Sequence, residues 1–330
     1  MSVKIAINGT GRIGLCAARI ASKRNDVELV ALNTTASIDT LVHLIRFDSV
    51  HGEFDVEKID DSTIKMAGKT VKVFSDRDPK KVAFGSVGVK VVLECTGVFR
   101  DTLKAEEHIH SGVEKVIISS PASDDTPTYV IGVNNHEYKG ESVISNASCT
   151  TNCLAPIAKV LDDNFGIVNG MMTTIHSYTN DQNLLDVKHS DLRRARAASM
   201  SMIPTSTGAA KAIGLVLPKL QGKMNGFAIR VPTPDVSVVD LSVTLEKSVT
   251  KEAINEAMRE AQNSNFKDLI LVDEYKRVSV DFVGSPYSAI FVPDFTVVVG
   301  ENNAKVLAWY DNEWAYSVRL VDMAQFIGSR

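Results

Sequence analysis

The chain opens on four short stretches of different texture. VKIAIN is an apolar run, GTGRIG a glycine-rich turn, LCAARIASKR a helix-like run and VELVALN a second apolar run. Together they predict a βαβ unit. Farther on, VKVVLECTG and VEKVIISSPA each carry a buried-strand apolar centre ending in small or glycine residues, with the helical LKAEEHIHSG between them. Parallel strands joined by helical crossovers fit this spacing.

After ESVISNAS the pattern changes. LAPIAKVLDDNFG predicts an amphipathic helix, and GIVNGMMTTIHSYT, NGFAIRVPTPDVSVVDLSVTLEK, SAIFVPDFTVVVG and AKVLAWYDN predict long strands of a large, mainly antiparallel sheet. Helices over KEAINEAMREAQ and AYSVRLVDMAQFIGS complete the set. A chain of 330 residues exceeds one ordinary core. The expected fold is therefore an α/β nucleotide-binding domain plus an α+β domain, divided near Ser148 without a flexible linker and packed with a cleft between them.

Composition narrows the setting. A formal charge of -4 gives no global attraction to nucleic acid or anionic membrane, although a local basic patch stays open. There is no apolar run of ~18 residues, and MSVKIAINGTGRIG starts folding pattern at once, without the regions of a signal peptide. Four cysteines, Cys16, Cys95, Cys149 and Cys153, make a disulfide scaffold a poor expectation and a reducing cytoplasm the natural one.

Three clusters carry candidate chemistry. Gly9-x-Gly11-x-x-Gly14 follows a strand and opens a helix, as a Rossmann dinucleotide site requires: glycines allow the tight turn and the helix N-terminus offers N–H groups to a pyrophosphate. SNASCTTNC places Cys149 just before a helix, where a thiolate is favoured. Cys149 and Cys153 at four-residue spacing permit a metal in principle, but no second ligand pair accompanies them, so no metal is expected. Burial of both as small hydrophobes is the plain alternative. TTIHSYTND puts His176 at a strand end, either as a structural histidine or as the base a thiol nucleophile needs. Arg193, Arg194, Arg196 and Arg230 form a solvated or inter-subunit basic surface, or, with Thr207 and Gly208 opening another helix, a site for a phosphorylated substrate.

INGTGRIG, DSVHG, SNASCTTNC, TTIHSYTND, LRRARAA, PTSTGAAKA, RVPTPDVSVVDL and WYDNEWAYS, taken together, resemble phosphorylating glyceraldehyde-3-phosphate dehydrogenases, from Lys4 nearly to the C-terminus. The resemblance implies Cys149 as the nucleophile toward the aldehyde and His176 as its activator and as acid and base. It implies a Cys149 thioester that inorganic phosphate cleaves to an acyl phosphate, in a reversible reaction of glycolysis and gluconeogenesis. Thr179, Asp181, Arg194 and Arg230 would surround the phosphate of glyceraldehyde 3-phosphate, with Arg193 adjoining Arg194, while Ser148, Thr150, Thr207 and Gly208 would hold the attacking phosphate. Arg12 and Ile13 would meet the cofactor pyrophosphate, Asn312 would orient the nicotinamide, and Arg77, Thr96 and Ser119 would line the adenosine and ribose side. The last helix would return to the nucleotide domain, giving 1–148 with 313–330 as the dinucleotide-binding domain and 149–312 as the catalytic and oligomerisation domain. A homotetramer is implied, with a loop around 178–200 at a subunit interface.

One departure bears on the cofactor. The family's common form ends its second strand in VNDP or VNDL, whereas this chain reads LNTT, so Asn33 is followed by Thr34 where a ribose-binding Asp stands. A carboxylate there repels a 2′-phosphate; threonine does not. Val187-Lys188 replaces a common Leu-Pro pair and adds a cation that could reach a neighbour's ribose. The expected cofactor is NAD or NADP, with NADP accepted or preferred, against the alternative that Lys188 faces solvent and Thr34 simply contacts the ribose of NAD. Thr10 and Leu15 also depart, for NGFG and RIGR. Competing readings are an erythrose-4-phosphate dehydrogenase, in which water replaces phosphate, an aspartate-semialdehyde dehydrogenase, and a non-enzymatic binding or adhesion protein on the same fold.

Overall fold

The apolar runs of the N-terminal part become strands of one twisted sheet. The structure is a computed structural model that describes residues 2–330. Its chain divides into two compact units: one of residues up to Ile131, Glu137–Ser148 and Tyr316–Arg330, the other of Gly132–His136 and Cys149–Ala315. Relative to a division at 148 and 313, residues 132–136 and 313–315 therefore lie with the second unit.

In the first unit the strands run in the order Val143–Ser145, Lys115–Ile118, Val91–Glu94, Val3–Asn8, Val27–Asn33, Lys69–Phe74, Thr63–Met66, Val56–Asp60. The first six pair in parallel and the last two close as antiparallel hairpins. Val3–Asn8 lies at the centre, which is why Ile5, Ala6 and Ile7 are fully buried: a strand covered on both faces reads as a continuous apolar run. Helix Arg12–Lys23 carries the chain from the central strand to its neighbour. The helical stretch expected after Asp101 is shorter than its composition suggests, one turn at Thr102–Ala105 continued by a 3-10 turn at Glu106–His108.

The second unit holds a sheet ordered Ile203–Ser206, Met224–Val231, Ile167–Ser177, Ser237–Leu245, Asn303–Tyr310, Ala289–Phe291, Ile270–Val272, with Val297–Val299 also paired to Asn303–Tyr310. Most neighbours are antiparallel; two pairs are parallel, one of them Ile167–Ser177 with Met224–Val231. The single strand expected over SAIFVPDFTVVVG is two, because Pro293 has no N–H to give a ladder and opens a 3-10 turn at Pro293–Phe295. The helix expected from Leu154 begins five residues earlier, at Cys149, and runs to Phe165. It is buried almost all round through Leu161 rather than amphipathic, so its first turn is fixed by packing on every side.

Candidate functional site

The glycine turn of the first unit is shaped for close approach. A Cβ on Gly14 would lie 1.9 Å from the Gly9 carbonyl oxygen, and one on Gly9, at φ +96°, would lie 2.8 Å from Thr96. Gly11 faces open space and caps helix Arg12–Lys23 without any side-chain hydrogen bond, so the helix N–H groups are offered outward. A pocket of about 560 Å³ opens here, lined by Gly9, Gly11, Asn33, Thr34, Arg77 and Thr96, with Thr10 and Thr35 beside them. These residues fit a dinucleotide: an open glycine cradle on an uncapped helix end, and polar strand ends around an apolar wall of Leu44, Val98 and Phe99.

Arg12, the first residue after the turn, binds Asp48 through its guanidinium at 2.6 and 3.1 Å. Burial would raise the Asp48 pKa, but Arg12 and the N–H groups of His51 and Val50 outweigh it and hold the carboxyl at about 2. Thr34 is buried, and its hydroxyl lies 2.6 Å from that of Thr10 while accepting from the Ala36 N–H at 3.1 Å. The two sequence departures are thus one feature. When Thr10 donates, Thr34 accepts twice and keeps its own proton for a ligand. Arg77 is exposed, and its guanidinium has no hydrogen-bond or ion-pair partner among the described residues. Ser119 lies outside the pocket lining, its N–H donating to the Glu94 carbonyl at 3.0 Å.

A buried network that the sequence did not announce supports the pocket floor. Glu94 accepts from Asn8 Nδ2 at 2.6 Å and from the Thr96 N–H at 2.7 Å, pairs with His108 at 3.1 Å, and also bonds the Thr96 hydroxyl. Asn8 Oδ1 in turn accepts from Asn33 Nδ2 at 2.7 Å, and Asn33 pairs with the backbone of Asp76 through both ends of its amide. Asn33 and Thr96 are thereby held from beneath, and Arg77 follows directly on the braced Asp76.

In the second unit Cys149 is the first residue of its helix, reached from strand Val143–Ser145 through Ala147 in the left-handed region at φ 55°. This strand–turn–helix elbow presents a half-buried thiol. Its Sγ lies 3.5 Å from His176 Nε2. His176 Nδ1 is 2.7 Å from the Ser177 carbonyl oxygen, which fixes Nδ1 as the donor and leaves the Nε2 lone pair facing the sulfur. Burial lowers the His176 pKa to about 3, and the Arg230 charge, with Nη1 3.2 Å from Nδ1, adds to that. Burial pushes the Cys149 thiol up, while Arg230 and hydrogen bonds from Thr150 pull it down. The helix N-terminus acts in the same direction as Arg230. Arg230→Gln is therefore expected to raise the His176 pKa, read by NMR titration of the imidazole; an unmoved titration would mean that burial alone sets it.

Around this pair the candidate anion ligands fall into groups. Arg230 Nη1 donates to Thr179 Oγ1 at 3.3 Å, and Arg194 Nη1 donates to Asp181 at 2.5 Å while its Nε reaches Thr205 at 2.9 Å. Arg194 is the arginine drawn into this network; Arg193 is exposed, and exposed Arg196 pairs with Asp186. Thr207 accepts from the Ala209 N–H at 3.2 Å, and Gly208 caps helix Ala209–Val216. Ser148 directly precedes Cys149, but the Thr150 hydroxyl is buried against Tyr310 at 2.8 Å. Asn312 is buried, its Oδ1 taken by the Ser237 hydroxyl at 2.6 Å, and Ser237 also accepts from the Ser177 N–H at 3.0 Å. Lys188 is exposed on the loop after Ser177, together with Leu184, Leu185, Leu192, Met200 and Met202. Cys153 is buried, with Sγ 3.9 Å from the Ala308 carbonyl oxygen.

Residues 3–102 match the family model described as the glyceraldehyde 3-phosphate dehydrogenase NAD binding domain, and residues 148–312 match that of the C-terminal domain. The chain belongs to the glyceraldehyde 3-phosphate dehydrogenase family. Relatives named glyceraldehyde-3-phosphate dehydrogenase from Priestia megaterium and Geobacillus stearothermophilus are each 51% identical over 333 residues, covering 100% of this chain and 99% of theirs. The chloroplastic glyceraldehyde-3-phosphate dehydrogenase GAPB of Arabidopsis thaliana is 52% identical over 336 residues, covering 99% of this chain and 75% of its own. Of the residues around the pair in this member of the glyceraldehyde 3-phosphate dehydrogenase family, Tyr310 and Ser237 escaped sequence reasoning. Each stands at the end of a strand, where its side chain looks like sheet packing until its neighbours across the sheet are known.

Proposed function

We propose that the protein catalyses the reversible, phosphorylating oxidation of glyceraldehyde 3-phosphate to 1,3-bisphosphoglycerate, with NAD or NADP as hydride acceptor. The observation that carries this is the Cys149–His176 pair at 3.5 Å, with the imidazole locked in the tautomer that turns a lone pair to sulfur. His176 takes the thiol proton, and the thiolate attacks the aldehyde carbon; the resulting imidazolium donates to the new oxyanion and then recovers that proton as base. An anionic substrate phosphate near Arg230 and Thr179, with Asp181 and Arg194 beyond, offsets the Arg230 charge that adds to burial in weakening His176 as a base. A nicotinamide held at Asn312 would supply the acceptor for the hydride that leaves the hemithioacetal carbon. A phosphate oxygen, held by Ser148, Thr150, Thr207 and Gly208, then attacks the thioester carbonyl, and the C–S bond breaks to return Cys149 as thiolate.

In this reading the first unit is the dinucleotide-binding domain and the second the catalytic and oligomerisation domain. Gly9, Gly11, Gly14, Arg12 and Ile13 receive the pyrophosphate through backbone N–H groups, and Asn33, Arg77, Thr96 and Ser119 serve the adenosine side. Asn312, with Oδ1 occupied, offers its Nδ2 N–H groups to the nicotinamide amide. Thr34, Thr35 and unpartnered Arg77 together favour a 2′-phosphate, which supports NADP as an accepted or preferred cofactor. The exposed apolar side chains around Lys188 support a homotetramer in which this loop is covered by a neighbour and Lys188 reaches its cofactor. A cytoplasmic setting suits four free thiols.

Phosphate dependence tests the reaction. Oxidation of glyceraldehyde 3-phosphate is expected to stall after one turnover per Cys149 without phosphate or arsenate and to resume when either is added. Full-rate oxidation in their absence would overturn the reading in favour of a water-consuming dehydrogenase.

A further inference from the structure

Three neighbouring parallel strands of the first unit end on polar residues in one row. Asn8 pairs in register with Glu94 on one side and with Asn33 on the other, so the last residues of Val91–Glu94, Val3–Asn8 and Val27–Asn33 stand side by side. This is the carboxyl edge of the sheet, where a doubly wound fold takes its ligand. Exposure is 1% for Glu94 and 3% for Asn8, so neither can exchange a lost partner for water. Glu94 lies outside the pocket lining, whereas Asn8, Asn33, Asp76 and Thr96 belong to it.

The hydrogen bonds of this row run in one direction, set by backbone groups that cannot reverse. The Asp76 N–H must donate and its carbonyl must accept, which turns Asn33 Oδ1 to the first at 3.1 Å and Nδ2 to the second at 2.8 Å. Asn33 Nδ2 also donates to Asn8 at 2.7 Å, so Asn8 meets it with Oδ1 and turns Nδ2 to Glu94 Oε2 at 2.6 Å. From the other side the Thr96 N–H donates to Glu94 Oε1 at 2.7 Å, and the Thr96 hydroxyl bonds the same oxygen. Both Glu94 oxygens are thus required as acceptors, one for each wall of the pocket. A glutamine has only one. Its amide nitrogen would confront either the Thr96 N–H or Asn8 Nδ2, and turning Asn8 over turns Asn33 over and breaks both bonds to Asp76.

We infer that Glu94 is a positioning residue for the cofactor pocket: from beneath, it fixes Thr96 against the glycine turn and sets the amide row that holds the backbone of Asp76, and with it Arg77, at the adenosine side. Thr96 Cγ2 is the atom that a Cβ on Gly9 would approach to 2.8 Å, so the place of Thr96 also shapes the turn. His108 completes the hub. Flanked by the rings of Phe84 and Phe99, it brings Nε2 to 3.1 Å from Glu94 Oε2 and 3.4 Å from Asn8 Nδ2.

The inference rests on this pocket being the dinucleotide site of the proposed reaction. Its test exchanges the two groups at the head of the row, with Glu94→Gln, Asn8→Asp and the paired variant made in the full-length protein. Each single change sets like groups face to face, two amide donors in the first and two carboxylates in the second. Together they restore the direction: the new amide accepts from Thr96 through its oxygen and donates through its nitrogen to the new carboxylate, whose other oxygen accepts from Asn33. Calorimetric titration with NAD and with NADP is expected to show each single variant binding about tenfold more weakly than the parent, and the paired variant binding more tightly than either. The cofactor KM should follow, with kcat within about twofold of the parent. Hydrogen exchange at the Asp76 amide, which needs no ligand, should quicken in both single variants and slow again in the pair. Parent-like binding in Glu94→Gln, or a paired variant that fails to exceed both single ones, would overturn the inference. If Glu94→Gln does not fold, the paired variant is expected to recover fold and binding, and its failure to do so overturns the inference alone. A parent that binds neither NAD nor NADP would overturn the dinucleotide reading, and Asp76 exchange would then decide the row by itself.

Discussion

Cys149→Ser is expected to lower phosphorylating dehydrogenase turnover by about three orders of magnitude or more, with cofactor and aldehyde binding nearly unchanged. The two side chains are close in size, so the helix start and the Thr150 contacts persist. What changes is acidity. His176, with a pKa of about 3, is a weak base that suffices for a thiol already drawn toward thiolate by Arg230, Thr150 and the helix N-terminus. An alcohol lies far out of its reach, and an ester in place of the thioester would not deliver its acyl group to phosphate as readily. Steady-state turnover and direct cofactor titration check both halves. Turnover within about tenfold of the parent would remove Cys149 as nucleophile, and a binding function on the same fold would survive the substitution intact.

Thr34→Asp should reduce kcat/KM for NADP by about thirtyfold to hundredfold, as expected for about 2–3 kcal/mol of like-charge repulsion at a 2′-phosphate. NAD should be used as well as before or better, because a carboxylate accepts from both ribose hydroxyls. The structure adds a condition: Thr34 packs its hydroxyl on Thr10, so the new carboxylate meets a hydroxyl donor at the glycine turn and is tolerated there. Parallel kcat/KM measurements with both cofactors decide. Equal losses with NAD and NADP would mean that the position shapes the turn and does not read the 2′ group, and a parent preference for NAD of about a thousandfold, some 4 kcal/mol, would end the NADP proposal outright.

The chain by itself determined the architecture and much of the chemistry. Central strands such as Val3–Asn8 carry a continuous apolar centre, Ile5–Ile7, because both faces are covered there, so their type is written locally. Gly9, Gly11 and Gly14 were legible for the same reason, since a turn that excludes Cβ atoms leaves a spacing any reader can see. The strings around Cys149 and His176 identified the family before any distance was known. Local pattern misled in two places: burial encloses the helix at Cys149, which is therefore not amphipathic, and Pro293, lacking an N–H, divides one apolar run into two strands.

Tertiary structure alone decided which polar groups meet. Cys149 and His176 are separated by 27 positions and Thr150 and Tyr310 by 160, and hydrogen bonds at those separations leave no periodic trace. Thr10 and Thr34 looked like two independent departures until the parallel strands Val3–Asn8 and Val27–Asn33 brought the residues beyond their ends to 2.6 Å. Charge alone did not separate Arg193 from Arg194, and only the resemblance favoured Arg194; the loop fold turns Arg194 toward Asp181 and Thr205 and leaves Arg193 exposed. Sequence fixes what each residue can donate, accept or exclude, but only the packed chain sets the distances and the burial through which those capacities become a site.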